Sequence, residues 1–74
     1  MQDLSIGVAA TVRAEAARRL ISQADLSRRT GITEPTLSRR LRGASPFTVD
    51  EIALVAKALG VSVADLIGAH EPAA

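Results

Sequence analysis

The sequence predicts an all-α domain, and three observations carry that prediction. Apolar residues recur at helical spacing, as in Ile52, Val55, Ala56 and Leu59. Helix-starting residues (Ser22, Thr33, Thr48, Ser62) alternate with helix-ending glycines (Gly31, Gly43, Gly60) along most of the chain. Finally, the apolar 47% of the chain holds one aromatic, Phe47, and is otherwise mostly Leu, Ile, Val and Ala, a set that suits close helix packing better than a half-buried sheet. With 74 residues there is material for one domain, 1–74, with about 1–5 and 68–74 expected as frayed tails. There is no cysteine, so no disulfide, thiolate zinc site or cysteine nucleophile is available, and packing alone must hold the fold.

Five helices follow from caps and periods. The first runs from about Ile6 to Ile21, where Val8, Val12, Ala16 and Leu20 stand at successive i+4 steps and point to one buried face. Ser22 caps the second, with Asp25 near its positive end and Leu26 turned inward, and Gly31 supplies the left-handed residue that stops it. Thr33 offers the cap of a third helix through about Arg42, in which Pro35 is tolerated because first-turn amides lack helical partners. Thr48 and Glu51 form a capping box for the fourth helix, which Gly60 ends. Ser62 and Asp65 repeat the pattern for a short fifth helix carrying Val63, Leu66 and Ile67.

The net charge of +1 conceals a division. Residues 13–42 hold Arg13, Arg18, Arg19, Arg28, Arg29, Arg39, Arg40 and Arg42 against Glu15, Asp25 and Glu34, a balance of +5. Residues 43–74 hold Lys57 against Asp50, Glu51, Asp65 and Glu71, a balance of −3, and Asp3 supplies the remaining −1. Such asymmetry points to a polyanionic partner on one side of the fold; a solvated charged surface is the alternative it must be weighed against. No stretch approaches the roughly 18 apolar residues of a membrane span, and the opening MQDLSIG lacks a positive leader, so a cytoplasmic protein with no membrane partner is expected.

The third helix is the informative one. Taking Leu37 as origin and about 100° per residue, Leu41 shares its inward side while Arg39 falls about 200° away, with Pro35, Arg42 and Thr36 near it and Arg40 on the flank. One face thus combines guanidinium forks with a hydroxyl. That equips it for a major groove, where Arg bonds the two acceptors of guanine and Thr touches a thymine methyl. Glu34 either accepts from a cytosine amino group or favours the helix dipole.

The run Ser22-Gln23-Ala24-Asp25-Leu26-Ser27-Arg28-Arg29-Thr30-Gly31-Ile32-Thr33, continuing through Leu37-Ser38 to Gly43, resembles the helix-turn-helix of the lambda repressor and Cro family. Leu54 to Leu66 is similar to that family's fourth and fifth helices, so the likeness spans roughly residues 8–67. It implies a five-helix lambda-repressor-like domain that binds double-stranded operator DNA, most simply a small Cro-like phage or bacterial repressor acting at the nucleoid. By this resemblance Gln23 matches a glutamine that bonds a backbone phosphate and braces the first residue of the recognition helix. Glu34, Pro35, Thr36 and Arg39 match base-facing positions, although Glu34 stands where lambda-type proteins place an adenine-reading Gln. Arg42 matches a phosphate position near the helix end, and Arg13, Arg28 and Arg40 are further phosphate candidates. Ser27 replaces the usual alanine at the crossing of helices two and three, its hydroxyl free to bond back to its own helix.

Enzymatic chemistry is not expected. His70 is the sole histidine, too few for a transition-metal site, and Ser62 and Asp65 are explained by capping instead of by a triad with His70. Gly31, Gly43 and Gly60 follow helices instead of preceding them, so there is no phosphate loop. No cofactor or small-molecule ligand is evident. Two other readings compete with the repressor: a protein-interaction module such as an antitoxin or adaptor, and the truncated N-terminal domain of a longer repressor. A homodimer, which Leu66 and Ile67 of the fifth helix could help to form on DNA, and a monomer are both open.

Overall fold

The computed structural model describes residues 4–68, with side chains from Gly7 onward, and contains no strand among them. The elements are α1 (Leu4–Arg18), α2 (Gln23–Thr30), α3 (Glu34–Leu41), α4 (Val49–Leu59) and α5 (Val63–Gly68). Of the expected tails, residues 1–3 and 69–74 lie outside the described residues, whereas Leu4, Ser5 and Gly68 are helical. His70 also lies outside them.

Short connections force neighbouring helices to fold onto one another, and the apolar faces meet in one core. Helix α2 packs on α4 and α3, α1 lies against α5, α3 and α4, and α5 closes on α4. Leu26, Leu37, Leu66, Val12 and Val55 are completely enclosed there, joined by Val8, Ala9, Leu59 and the loop residue Phe47. Leu66, expected to help form a dimer, is 0% exposed, and Ile67 packs against the core. Val63, at the start of α5, is 40% exposed.

The caps fold as their chemistry requires. The Ser22 hydroxyl accepts from the Asp25 amide at 3.1 Å. Thr48 and Glu51 form the complete reciprocal box, at 3.1 and 2.9 Å, and Ser62 and Asp65 form its equivalent at 2.9 and 3.1 Å. Thr33 takes the N-cap position of α3, but its hydroxyl makes no capping bond. Pro35 removes one of the amides such a cap would serve.

Helix α1 ends at Arg18, three residues before the sequence reading placed its end, because Leu20 adopts φ 57°. Its amide donates to the Ala17 carbonyl at 3.1 Å and the Ile21 amide to Ala16 at 2.9 Å, the paired bonds of a Schellman ending with leucine in the left-handed position. Leu20 is consequently 91% exposed, not part of the buried face that its i+4 spacing suggested. A left-handed L-residue costs roughly 1–2 kcal/mol, and this side chain recovers almost none of that by burial. Leu20→Gly should therefore stabilise the domain by about 0.5–1 kcal/mol once the greater unfolded-state entropy of glycine is set against the relieved strain. A thermal melt should rise by a few degrees, and an unchanged or lower midpoint would refute the assignment of strain to this residue.

Candidate nucleic-acid interface

Helices α2 and α3 are joined by Gly31, Ile32 and Thr33 alone, and their mutual angle is set there. Gly31 takes φ 79° and returns its amide to the Ser27 carbonyl at 2.9 Å. A Cβ at Gly31 would meet nothing within 4 Å, so it is the backbone angle and not space that calls for glycine. Two hydroxyls then pin the turn. Buried Thr30 donates to the Leu26 carbonyl at 2.8 Å and accepts from the Ile32 amide at 3.2 Å. Ser27 donates across the turn to the Ile32 carbonyl, not back into its own helix as expected, so a serine at this crossing adds a tie between the helices' ends. Ile32 itself is buried and fixes the connection to the core.

Helix α3 is held from beneath by Leu37, which is 0% exposed, while Leu41 is half-buried at its end. The opposite face is the one predicted: Glu34, Pro35 and Arg39 are exposed and Thr36 is partly exposed. An Arg39 guanidinium nitrogen lies 3.4 Å from the Thr36 hydroxyl, one turn away, so the two groups with base-reading chemistry share one patch. The uncapped start of α3 adds the positive end of the helix dipole beside Glu34.

Three of the expected phosphate residues converge as well. Arg13, Gln23 and Arg42, with Ser22 and Ser38, line an open groove of about 300 Å³ between the end of α1, the start of α2 and the end of α3, whose other walls are apolar, Ile21, Leu26 and Leu41 among them. Ser22 satisfies the Asp25 amide, and the first-turn amides of Gln23 and Ala24 lack intrahelical acceptors. The Gln23 side chain is exposed and makes no hydrogen bond to a described residue, so the brace to the first residue of α3 that the resemblance implied is not formed. Arg13 donates to the Leu41 carbonyl, covering one of the acceptors that the end of α3 leaves open, and Arg42 donates to the Ser38 hydroxyl at 3.0 Å. Both arginines remain exposed.

Arg28 pairs with Asp25 one turn back, at side-chain exposures of 71% and 35%. An exposed pair of this kind adds little net stability, so Arg28 can exchange a carboxylate for a phosphate at small cost. Arg18 and Arg19 both turn to Glu15, Arg18 at 3.4 Å with a side chain that stays 70% exposed.

Arg40 is the exception among the expected phosphate residues. Its Nε donates to Glu51 Oε1 at 2.8 Å, a terminal nitrogen reaches Oε2 at 3.3 Å, and the other donates to the Ser45 hydroxyl at 2.6 Å. Both side chains of the ion pair are 17% exposed. The fork is thus spent within the fold, because the capping box on α4 places a carboxylate opposite the flank of α3. Hydrogen bonding from Arg40 is the main cause that holds the Glu51 carboxyl below its ordinary range, with the Thr48 amide assisting against the cost of burial; the Arg40 guanidinium is raised correspondingly. The sequence signalled the capping box but not that its carboxylate has a second partner.

No helix among the described residues is long and apolar enough to cross a membrane, and none of their His, Asp or Glu residues cluster as a metal site. The family model for the Cro/C1-type HTH DNA-binding domain matches residues 12–71. Among solved structures, the clp gene regulator ClgR from C. glutamicum superposes with a TM-score of 0.86 at 25% identity, over 99% of this chain and 100% of that one. A search of curated proteins finds no match. A glycine-hinged turn between α2 and α3, a buried Leu37 beneath an open polar face and a family match over most of the chain agree: this protein belongs to the Cro/C1-type helix-turn-helix DNA-binding domains.

Proposed function

We propose that the domain is a Cro-like repressor that lays α3 in the major groove of an operator and occludes a promoter. The observation that carries this reading is the shared patch of Thr36 and Arg39 on the open face of a helix anchored by Leu37. Arg39 bonds guanine and Thr36 contacts a neighbouring base, with Glu34 and Pro35 shaping the approach. Gln23, Arg13 and Arg42 seat one phosphate at the groove by the start of α2, where free amides and the helix dipole favour an anion. Arg28 adds another contact. Phosphate contacts of this kind supply affinity and register, whereas the base contacts supply sequence preference.

The protein acts by binding, without catalysis or cofactor, in the cytoplasm. A homodimer assembled on DNA would set two recognition helices about 34 Å apart, one turn of duplex. Since Leu66 is consumed by the core, α5 offers such a contact the exposed Val63 in its place.

Salt dependence tests the DNA reading against a protein-docking role. Two phosphates held per protomer, one by Arg13 with Arg42 and one by Arg28, predict a slope of log affinity against log salt near about −2, or a roughly 12-fold loss per protomer between about 50 and 200 mM. Fluorescence anisotropy on a labelled duplex measures it. Binding that is absent, or indifferent to salt, would favour a protein partner.

A further inference from the structure

We infer that Arg40 is a positioning residue, which through Glu51 fixes the seating of α3 and so the aim of Thr36 and Arg39. This rests on the reading above that α3 contacts bases. Arg40 is followed by Leu41 and Arg42 and preceded by Arg39, so charge alone does not distinguish it from its neighbours. Geometry does. The side-chain hydrogen bonds of its neighbours on the exposed side stay local, from Arg39 to Thr36 and from Arg42 to Ser38. Arg40 instead leaves its helix and grips both oxygens of Glu51 and the hydroxyl of Ser45.

The grip joins three pieces of chain. Glu51 Oε1 accepts from Arg40 Nε at 2.8 Å and from the Thr48 amide at 2.9 Å, so one oxygen caps α4 and holds α3 together. Ser45 adds the intervening loop at 2.6 Å. A planar fork on a carboxylate fixes orientation as well as distance, which an ammonium does not. Leu37 anchors the middle of α3 and half-buried Leu41 its end, both along one line on the core, which leaves rotation about that line to be resisted by something else. Arg40 lies three residues beyond Leu37, on the flank between the buried and open faces, and opposes that rotation. Arg13 acts at the same end through the Leu41 carbonyl, from the α1 side. The end of the recognition helix is therefore clasped from both directions.

The positioning role and the phosphate role predict opposite results. Three variants decide between them: Arg40→Lys, Arg40→Ala and Glu51→Gln. Affinity is measured for the sequence selected by the parent chain and for a scrambled duplex, across salt, on protein shown by circular dichroism to be folded at the assay temperature. Arg40→Lys keeps the charge and Glu51→Gln keeps a residue suited to the capping box, so both are expected to fold. If Arg40 positions α3, both lose discrimination between the two duplexes by about tenfold, the loss of one well-made base contact, while the salt slope of Arg40→Ala stays at the parent value. If Arg40 instead binds phosphate, Arg40→Lys behaves as the parent, Glu51→Gln binds as tightly or more tightly, and Arg40→Ala loses about one from the slope. That second set of results overturns the inference. A parent chain that selects no sequence overturns the base-reading proposal beneath it, and is recognised before any variant is measured.

Discussion

Leu37→Ala should remove most of the stability of this domain. Leu37 is 0% exposed and is the one fully enclosed side chain of α3. Truncating a buried leucine costs about 2–5 kcal/mol through lost transfer energy and the cavity left behind. A domain of this length holds roughly 4–11 kcal/mol in total, at about 0.05–0.15 kcal/mol per residue. The loss should appear in urea unfolding as a large fall in midpoint at similar slope, and as a melting temperature lower by more than about 10 °C. A change below about 1 kcal/mol would mean that Leu37 is not the anchor of the recognition helix. The contrast with Leu20 is instructive: two leucines, one inside α3 and 0% exposed, one just past the end of α1 and 91% exposed, should give changes of opposite sign when trimmed.

The second large effect concerns recognition. Changing Thr36 and Arg39 together to alanine should leave the fold intact, because neither holds the core, and should abolish preference for the selected sequence. A bidentate Arg–guanine pair contributes about 1–3 kcal/mol of discrimination, and loss of the Thr36 contact adds to it, so specific binding should fall by about two orders of magnitude toward the affinity for random duplex. The remaining affinity should keep the salt dependence set by Arg13, Arg28 and Arg42. Equal weakening on all sequences would place Arg39 on phosphate instead of on bases.

The architecture was legible because it is written in local signals. Ser22, Thr48 and Ser62 cap through contacts three residues away, and Gly31 and Gly60 stop helices by their own backbone angles, so sequence spacing alone locates them. The open face of α3 was legible for the same reason: once Leu37 is inward, helical period places Arg39 outward. What escaped was whatever depends on partners distant in sequence or on backbone angles that residue type does not announce. Arg40 lies 11 residues from Glu51, and nothing in either residue says that the two will meet. Arg13 reaches the Leu41 carbonyl across 28 residues, and a main-chain acceptor leaves no trace in sequence. Leu20 occupies a position where glycine is the usual signal, so the early end of α1 was hidden by an apolar residue in apparent register. Thr33 shows the converse, a residue of the right type at the right place whose bond does not form.

The central claim is that α3 reads bases, and selection from a random duplex library at about 150 mM salt tests it most directly. The purified chain should enrich one consensus, with the Thr36 and Arg39 double-alanine variant failing to enrich it, and two half-sites about one helical turn apart would establish a dimer on DNA. If the parent chain enriches no sequence, or the variant recovers the same consensus, α3 is not the reading element and the account is wrong.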